Sequence, residues 1–174
     1  MATQFEIDCA LMSGYADNTR IEPNKFPIPA TYTIYEAVNN PSGLNLVTFQ
    51  SGSKIIISFA CTAYNSLSDF ITDLQLGTGS AALQLLQAAE YYLYIKANNP
   101  PNAEITFTGH SLGGGLAALM GVFFNEKAVT FNQAPFAAAA TESIRMEILN
   151  HLQGLGDYRT KGSSLLLAHV GNSN

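Results

Sequence analysis

The chain has 174 residues, of which 47% are apolar and 12% are charged. This length suits one domain, residues 1–174, and this composition excludes a disordered chain, because enough apolar side chains are present to form a buried core. The net charge of −5 argues against nucleic acid and against an anionic membrane surface as partners, since both attract basic proteins.

Neither a membrane span nor a secretory signal is evident. No apolar run reaches the ~18 residues of a spanning helix, and the N-terminus, with Glu6 and Asp8, lacks the basic region of a signal peptide. The compartment stays unknown, either cytoplasm or export without a signal. Cys9 and Cys61 have no metal-binding spacing, so we expect free thiols, with one disulfide as the alternative. No metal or organic cofactor is implied.

The first half of the chain predicts one helix and several strands. Apolar side chains at helical spacing predict a short helix over residues 3–16. After a proline-rich extended stretch, residues 31–38 fit either a strand or the start of a helix. Residues 46–50, a Ser-Gly-Ser turn, and residues 54–60 predict a hairpin that leads into a buried central strand.

The second half predicts helices that alternate with strands. The longest helix candidate spans residues 80–98, where polar positions including Gln84 and Tyr91 form one narrow polar stripe. The later elements are a strand at 105–108 with an apolar helix behind it, a strand at 128–132, a helix at 135–152 and a strand at 165–170. This alternation predicts an α/β fold, with a mainly parallel sheet and helices on both faces.

Residues 109–113 read G-H-S-L-G and lie where a predicted strand turns into a helix. That is the context of a nucleophile elbow, in which a sharp turn holds a serine with its hydroxyl exposed. Glycines flank the serine because larger side chains would collide with the neighbouring strand and helix. The amides at the helix N-terminus point towards the position where an oxyanion forms in acyl transfer. The pattern predicts Ser111 as the nucleophile and the N–H of Leu112 as an oxyanion donor; the alternative is an ordinary glycine-rich turn.

Three segments resemble the lipase class 3 family of serine hydrolases. Residues 54–74 are similar to the family's strand, oxyanion turn and D-(W/F)-x-x-D-L pattern, residues 109–113 to its elbow, and residues 128–136 to its T-F-G-x-P strand. The resemblance covers about half of the chain. It implies an α/β-hydrolase-like fold, activity on lipid esters, and Thr62 as the second oxyanion donor.

The loop after the central strand departs from the family pattern. Ala60 and Cys61 stand where the family has Arg-Gly, so the loop loses a guanidinium and a flexible residue. Cys61 fits either a small buried residue that ends a strand or a rival nucleophile. Asp69 and Asp73 match the family's acidic pattern, but they are explained by a helix-start charge and a loop-fixing acceptor, and neither is placed in the triad.

The catalytic acid and base are harder to assign. In this fold the order is Ser, then Asp or Glu, then His. The side chain of His110 leaves the opposite side of the turn from Ser111, so bracing the turn is its expected role, and His151 precedes the only downstream aspartate. Asp157 and His169 have the right order, but His169 falls within a predicted strand close behind Asp157.

The resemblance places the acid and the histidine beyond further strands, whereas this sequence stops at Asn174. The expectation is therefore a chain truncated at its C-terminus, or one that lacks the acid and the base. Truncation would expose a strand edge and favour oligomerisation.

The functional hypothesis is a serine hydrolase that cleaves carboxylic esters of lipids through an acyl-enzyme on Ser111. Its partners would be a lipid or other ester substrate and, peripherally, a lipid interface. One alternative is a catalytically silent hydrolase-fold binding module. The other is an acyltransferase or thioesterase that uses the same elbow.

Overall fold

The computed structural model describes residues 1–19, 23–40, 43–60, 72–73 and 79–155. The helices are α1 (Gln4–Asp17), α2 (Gly79–Ala97), α3 (Ser111–Phe124) and α4 (Glu142–Leu155), with a short 3-10 turn at Ala137–Ala139. The strands are β1 (Thr33–Asn39), β2 (Asn45–Ser51), β3 (Lys54–Phe59), β4 (Glu104–His110) and β5 (Lys127–Phe131).

The strands form one five-stranded sheet in the order β1-β2-β3-β4-β5. β2 pairs antiparallel with both β1 and β3, whereas β3, β4 and β5 pair in parallel. Four of the five described strands therefore run in the same direction, and only β2 is reversed. This confirms the α/β fold with a mainly parallel sheet, and it resolves residues 31–38 in favour of a strand.

Helices cover both faces of this sheet, as predicted. Successive side chains of a strand point to opposite faces, so Ile56 packs with Met12 and Ala16 of α1. Its neighbours Ile55 and Ile57 belong to the larger cluster formed with α2, α3 and α4. The parallel connections bring the C-terminal ends of β3, β4 and β5 to one edge of the sheet, which is where sites form in open α/β sheets.

The polar stripe predicted on the longest helix is wrong at two of its positions. Gln84 and Tyr91 of α2 are buried, whereas Leu83 is 45% exposed. The Tyr91 hydroxyl shares a hydrogen bond with Thr48 Oγ1 at 2.7 Å and donates to Glu36 at 3.1 Å. A polar position can face a sheet when its polar atom finds partners there, and these partners lie more than 40 residues away in sequence.

The predicted helix over 135–152 begins later in the structure. Residues Ala137–Ala139 form only a 3-10 turn, and α4 starts at Glu142. Thr141 Oγ1 accepts the backbone N–H of Ile144, which is an N-cap interaction that fixes this start. The predicted strand at 165–170 lies outside the described residues. In the described part of the chain, no helix is long and apolar enough to cross a membrane.

Candidate active site

Ser111 is the first residue of α3 and directly follows the last residue of β4. Its φ is 54°, in the left-handed region that side chains other than glycine rarely adopt. The chain reverses here from an extended strand into a helix within one residue. Such backbone strain persists only where surrounding contacts enforce it, and it clusters at functional sites.

The glycines around Ser111 allow backbone segments to touch. A Cβ atom on Gly113 would lie 2.3 Å from the carbonyl oxygen of Phe59, and a Cβ on Gly109 would lie 2.5 Å from the carbonyl of Gly113. Any side chain at either position would displace backbone. The first turn of α3 is therefore pressed directly against the ends of β3 and β4.

The loop after β5 also holds this turn. The N–H of Ala134 donates to the carbonyl oxygen of Ser111 at 2.9 Å. A Cβ on Gly115 would lie 3.2 Å from Ala134, and a Cβ on Gly114 would lie 3.1 Å from Gln133, so this loop also packs closely on α3. Ser111 is thus fixed between the ends of β3 and β5.

Leu112 supplies a backbone donor beside Ser111. Its N–H is one of the first four amides of α3, which have no acceptor within the helix. These amides carry the positive end of the helix dipole and favour a neighbouring anion. The Leu112 side chain is buried in the larger core, which anchors the turn.

His110 faces away from α3 and pairs with α1. Its Nδ1 lies 3.2 Å from Asp17 Oδ2, at the C-terminal end of α1. The His110 side chain is 46% exposed and that of Asp17 is 18% exposed. Because α1 lies on the opposite face of the sheet from α3, this contact agrees with the bracing role expected from the sequence.

His151 is also paired with a carboxylate. Its Nε2 lies 2.5 Å from Glu90 Oε1, and this contact joins α4 to α2. Glu90 is 11 residues after Gly79, the start of α2 (90 − 79), which corresponds to roughly 16 Å along the helix. Since α2 runs back between the parallel strands β3 and β4, the pair lies well below the edge that carries Ser111. We assign it to helix packing.

The other predicted site residues lie largely outside the described part of the chain. This holds for the oxyanion candidate Thr62 and for the candidate acid and base. These undescribed candidates are Cys61, Thr62, Asp69, Asp157 and His169. Asp73 is described, but of its surroundings in the sequence only residue 72 is described with it, and both residues are helical. The described residues contain no cluster of His, Cys, Asp and Glu that could hold a metal ion.

Cys9 is a free thiol, as expected, and it is completely buried between α1 and the sheet. Burial raises its pKa to about 12, so it stays protonated and unreactive in the folded protein. Cys9 therefore has no part in the candidate chemistry.

Two residues near Ser111 were not identified from the sequence. Asp17 reaches the turn from α1, and no sequence pattern connects residues that are 93 positions apart. Asn132 has a φ of 43° just beyond β5. Asparagine tolerates the left-handed region better than most residues. An asparagine at the end of a predicted strand was therefore the sequence signal that could have identified this turn.

The chain matches the family model of the Tle-like phospholipase domain, described as phospholipase-like, over residues 34–166. It is also similar to the crystal structure of the Lip2 lipase from Yarrowia lipolytica, with 18% sequence identity, a TM-score of 0.49, and coverage of 76% of this chain and 60% of that chain. The chain thus spans about three fifths of the length of that lipase. The lipase-like resemblance seen in the sequence is confirmed at family level. Because the family match covers more than half of the chain, the chain belongs to the Tle-like phospholipase domain family.

Proposed function

We propose that this phospholipase-like domain hydrolyses carboxylic esters of lipids, with Ser111 as the nucleophile of an acyl-enzyme mechanism. The observation that carries the proposal is the backbone of Ser111, which is strained at φ 54° between β4 and α3. An ordinary glycine-rich turn would place glycine at such a position, since glycine adopts it without steric cost. A serine kept there is best explained by the chemistry of its hydroxyl group.

In the proposed reaction, the Ser111 Oγ attacks the ester carbonyl and forms a tetrahedral intermediate. The Leu112 N–H and the positive end of α3 stabilise the negative charge that develops on the carbonyl oxygen. Thr62, assigned by the family resemblance, would be the second donor. The carbon–oxygen bond to the alcohol then breaks, and the acyl group stays on Ser111 until water releases it as a carboxylic acid.

A base must accept the Ser111 proton, pass it to the leaving alcohol, and later activate water. His110 and His151 are held by Asp17 and Glu90 in places that serve packing, so neither is assigned this role. Asp157 and His169 remain the candidates from chain order.

Labelling with a fluorophosphonate probe tests the nucleophile, because an activated serine attacks the phosphorus of the probe, displaces fluoride and becomes phosphonylated. We expect one equivalent of label, detected by intact mass, and no label in Ser111→Ala. The matched control is Ser53→Ala, since Ser53 is exposed in the turn between β2 and β3, at the opposite edge of the sheet. This control should label like the wild type.

The outcomes also separate the alternative functions. A folded wild type that takes up no label would contradict the nucleophile and favour a silent binding module. If labelling succeeds, incubation with a phospholipid or an acylglycerol identifies the product: free fatty acid supports hydrolysis, and an acylated alcohol supports an acyltransferase. Release from a lipid aggregate requires contact with its interface, so peripheral lipid contact is part of the proposal.

A further inference from the structure

Asn132 and Ser111 are side by side at the edge of the sheet. The parallel register pairs His110 at the end of β4 with Phe131 at the end of β5. The residues that follow are Ser111 and Asn132, and both have positive φ values, 54° and 43°. Neighbouring strands are about 4.8 Å apart, so the side chain of Asn132 is close enough to hydrogen-bond to a group bound at Ser111.

The segment around Asn132 is tied down on both sides. Thr130 Oγ1 donates a hydrogen bond to Gln133 Oε1, which closes the turn over Asn132. The next residue, Ala134, donates its N–H to the carbonyl of Ser111 at 2.9 Å. Asn132 itself is exposed. Fixed backbone with an exposed polar side chain is what substrate positioning requires.

The position of Asn132 relative to the two sides of Ser111 indicates which part of an ester it meets. The end of β3 contacts the first turn of α3 at Gly113, and the proposed second oxyanion donor, Thr62, follows β3 in the sequence, so the proposal assigns the oxyanion to the β3 side of Ser111. β5 lies on the other side of β4. The catalytic base delivers its proton to the leaving alcohol away from the oxyanion donors, which places the alcohol next to Asn132.

We propose that Asn132 determines specificity for the alcohol part of the substrate, by hydrogen bonding to an oxygen atom carried by that alcohol. The inference rests on the proposed function of Ser111. An amide both donates and accepts, so it suits esters of a polyol, whose free hydroxyl groups lie near the ester, and esters of a phosphorylated polyol. A monoacylglycerol and a lysophospholipid represent these two sources.

The variant Asn132→Gly separates the side chain from the backbone, because glycine adopts the same left-handed conformation without strain. Three short-chain esters with the same acyl group are compared: a p-nitrophenyl ester, a glycerol ester and a glycerophosphocholine ester. We expect kcat/KM for at least one polar ester to fall about tenfold relative to the p-nitrophenyl ester, since one hydrogen bond to substrate is lost.

A matched control is available in Asn125→Gly. Asn125 also has a positive φ, 53°, but it ends α3 at the opposite edge of the sheet. The control should leave all three kcat/KM values unchanged. The variant Asn132→Asp distinguishes the two polar sources: repulsion by the carboxylate should lower kcat/KM for the phosphate ester and spare the glycerol ester if the contact is to a phosphate oxygen.

Equal losses for all three esters in Asn132→Gly would overturn the inference, because they would indicate a general effect on Ser111. Unchanged values for all three would overturn it as well. If the wild type binds no fluorophosphonate and hydrolyses none of the esters, the proposed function itself fails and this inference with it. If the wild type hydrolyses the esters and Asn132→Gly has the same preference among them, the proposed role of Asn132 is rejected and the proposed function of Ser111 is not.

Discussion

The backbone at Ser111 has a conformation that costs free energy for any residue with a Cβ atom. Its φ of 54° is enforced by close contacts on both sides, at Gly113 against β3 and at Ala134 from the loop after β5. Such enforcement lowers stability and fixes the backbone of the half-buried Ser111, which is the usual compromise at reactive sites.

This strain predicts an unusual order of stability for two variants. In a helix, glycine is less stable than alanine by up to about 1 kcal/mol. At Ser111 we expect the reverse: Ser111→Gly should be at least as stable as Ser111→Ala, because glycine alone relieves the positive φ. Urea unfolding of the two variants gives the comparison. A Ser111→Gly protein that is about 1 kcal/mol less stable than Ser111→Ala would show that the backbone at this position is not strained.

At the scale of single residues, the sequence predicted the features that depend only on neighbouring residues. The G-H-S-L-G string identified the turn and its glycines because each residue acts on its immediate neighbours. Asn132 was not identified because its proposed role depends on the register of β5 against β4, and the sequence of one strand does not specify its register against another.

At the scale of elements, α1 stands out because it precedes the family match, which begins at residue 34. It nevertheless covers one face of the sheet and reaches the candidate site. Ser58 of β3 donates to the Met12 carbonyl at 3.3 Å, and Asp17 meets His110 at the end of β4. The N-terminal helix is thereby attached to β3 and to the end of β4, directly before Ser111.

We predict a measurable but small coupling between Asp17 and His110. Replacing each by asparagine, singly and together, should give a coupling free energy of about 0.2–1 kcal/mol, as for other exposed pairs. At a pH where His110 is protonated, higher salt should reduce the coupling, because the His110 side chain is 46% exposed. The measurement is urea unfolding of the four proteins at low and high salt.

Asp8→Asn provides the control for this cycle. Asp8 lies on the same helix and contacts Gln4, so the substitution changes the charge of α1 without touching β4. It should show no coupling to His110. A coupling as large for Asp8 as for Asp17 would mean that the effect is a general one of charge, and that the contact does not fasten α1 to β4.

Among the elements, those defined by local signals agreed with prediction. The hairpin of β2 and β3 follows from a short turn between apolar runs, and the start of α3 follows from the glycine motif. The polar stripe on α2 was wrong at Tyr91 because this residue is buried against partners on β1 and β2. The start of α4 was placed too early because Pro135 resembles a first helical residue, whereas Thr141 provides the actual cap.

Over the whole molecule, several buried acidic groups bind their protons more tightly in the folded state. Burial raises the pKa of Cys9 from 9.0 to about 12 and that of Tyr92 from 10.0 to about 12. Burial also raises the pKa of Tyr91 well above its ordinary value. These residues belong to the cores on both faces of the sheet, so their protonation is linked to global unfolding.

The linkage predicts that the protein loses stability at alkaline pH. Above the ordinary pKa of a thiol, 9.0, the unfolded chain releases the Cys9 proton while the folded chain keeps it. Stability then falls as pH rises, by up to about 1.4 kcal/mol per pH unit for each such group. Cys9 contributes first, and the tyrosines add to the slope above their ordinary value of 10.0.

Urea unfolding as a function of pH tests this linkage, and Cys9→Ala isolates the first step. The variant loses packing and starts from a lower stability, so the slope is compared and not the absolute value. The wild type should decline more steeply than Cys9→Ala between the thiol and tyrosine values, 9.0 and 10.0. Parallel curves in that interval would contradict a proton held on Cys9, and the cause of any alkaline loss would then lie with the tyrosines.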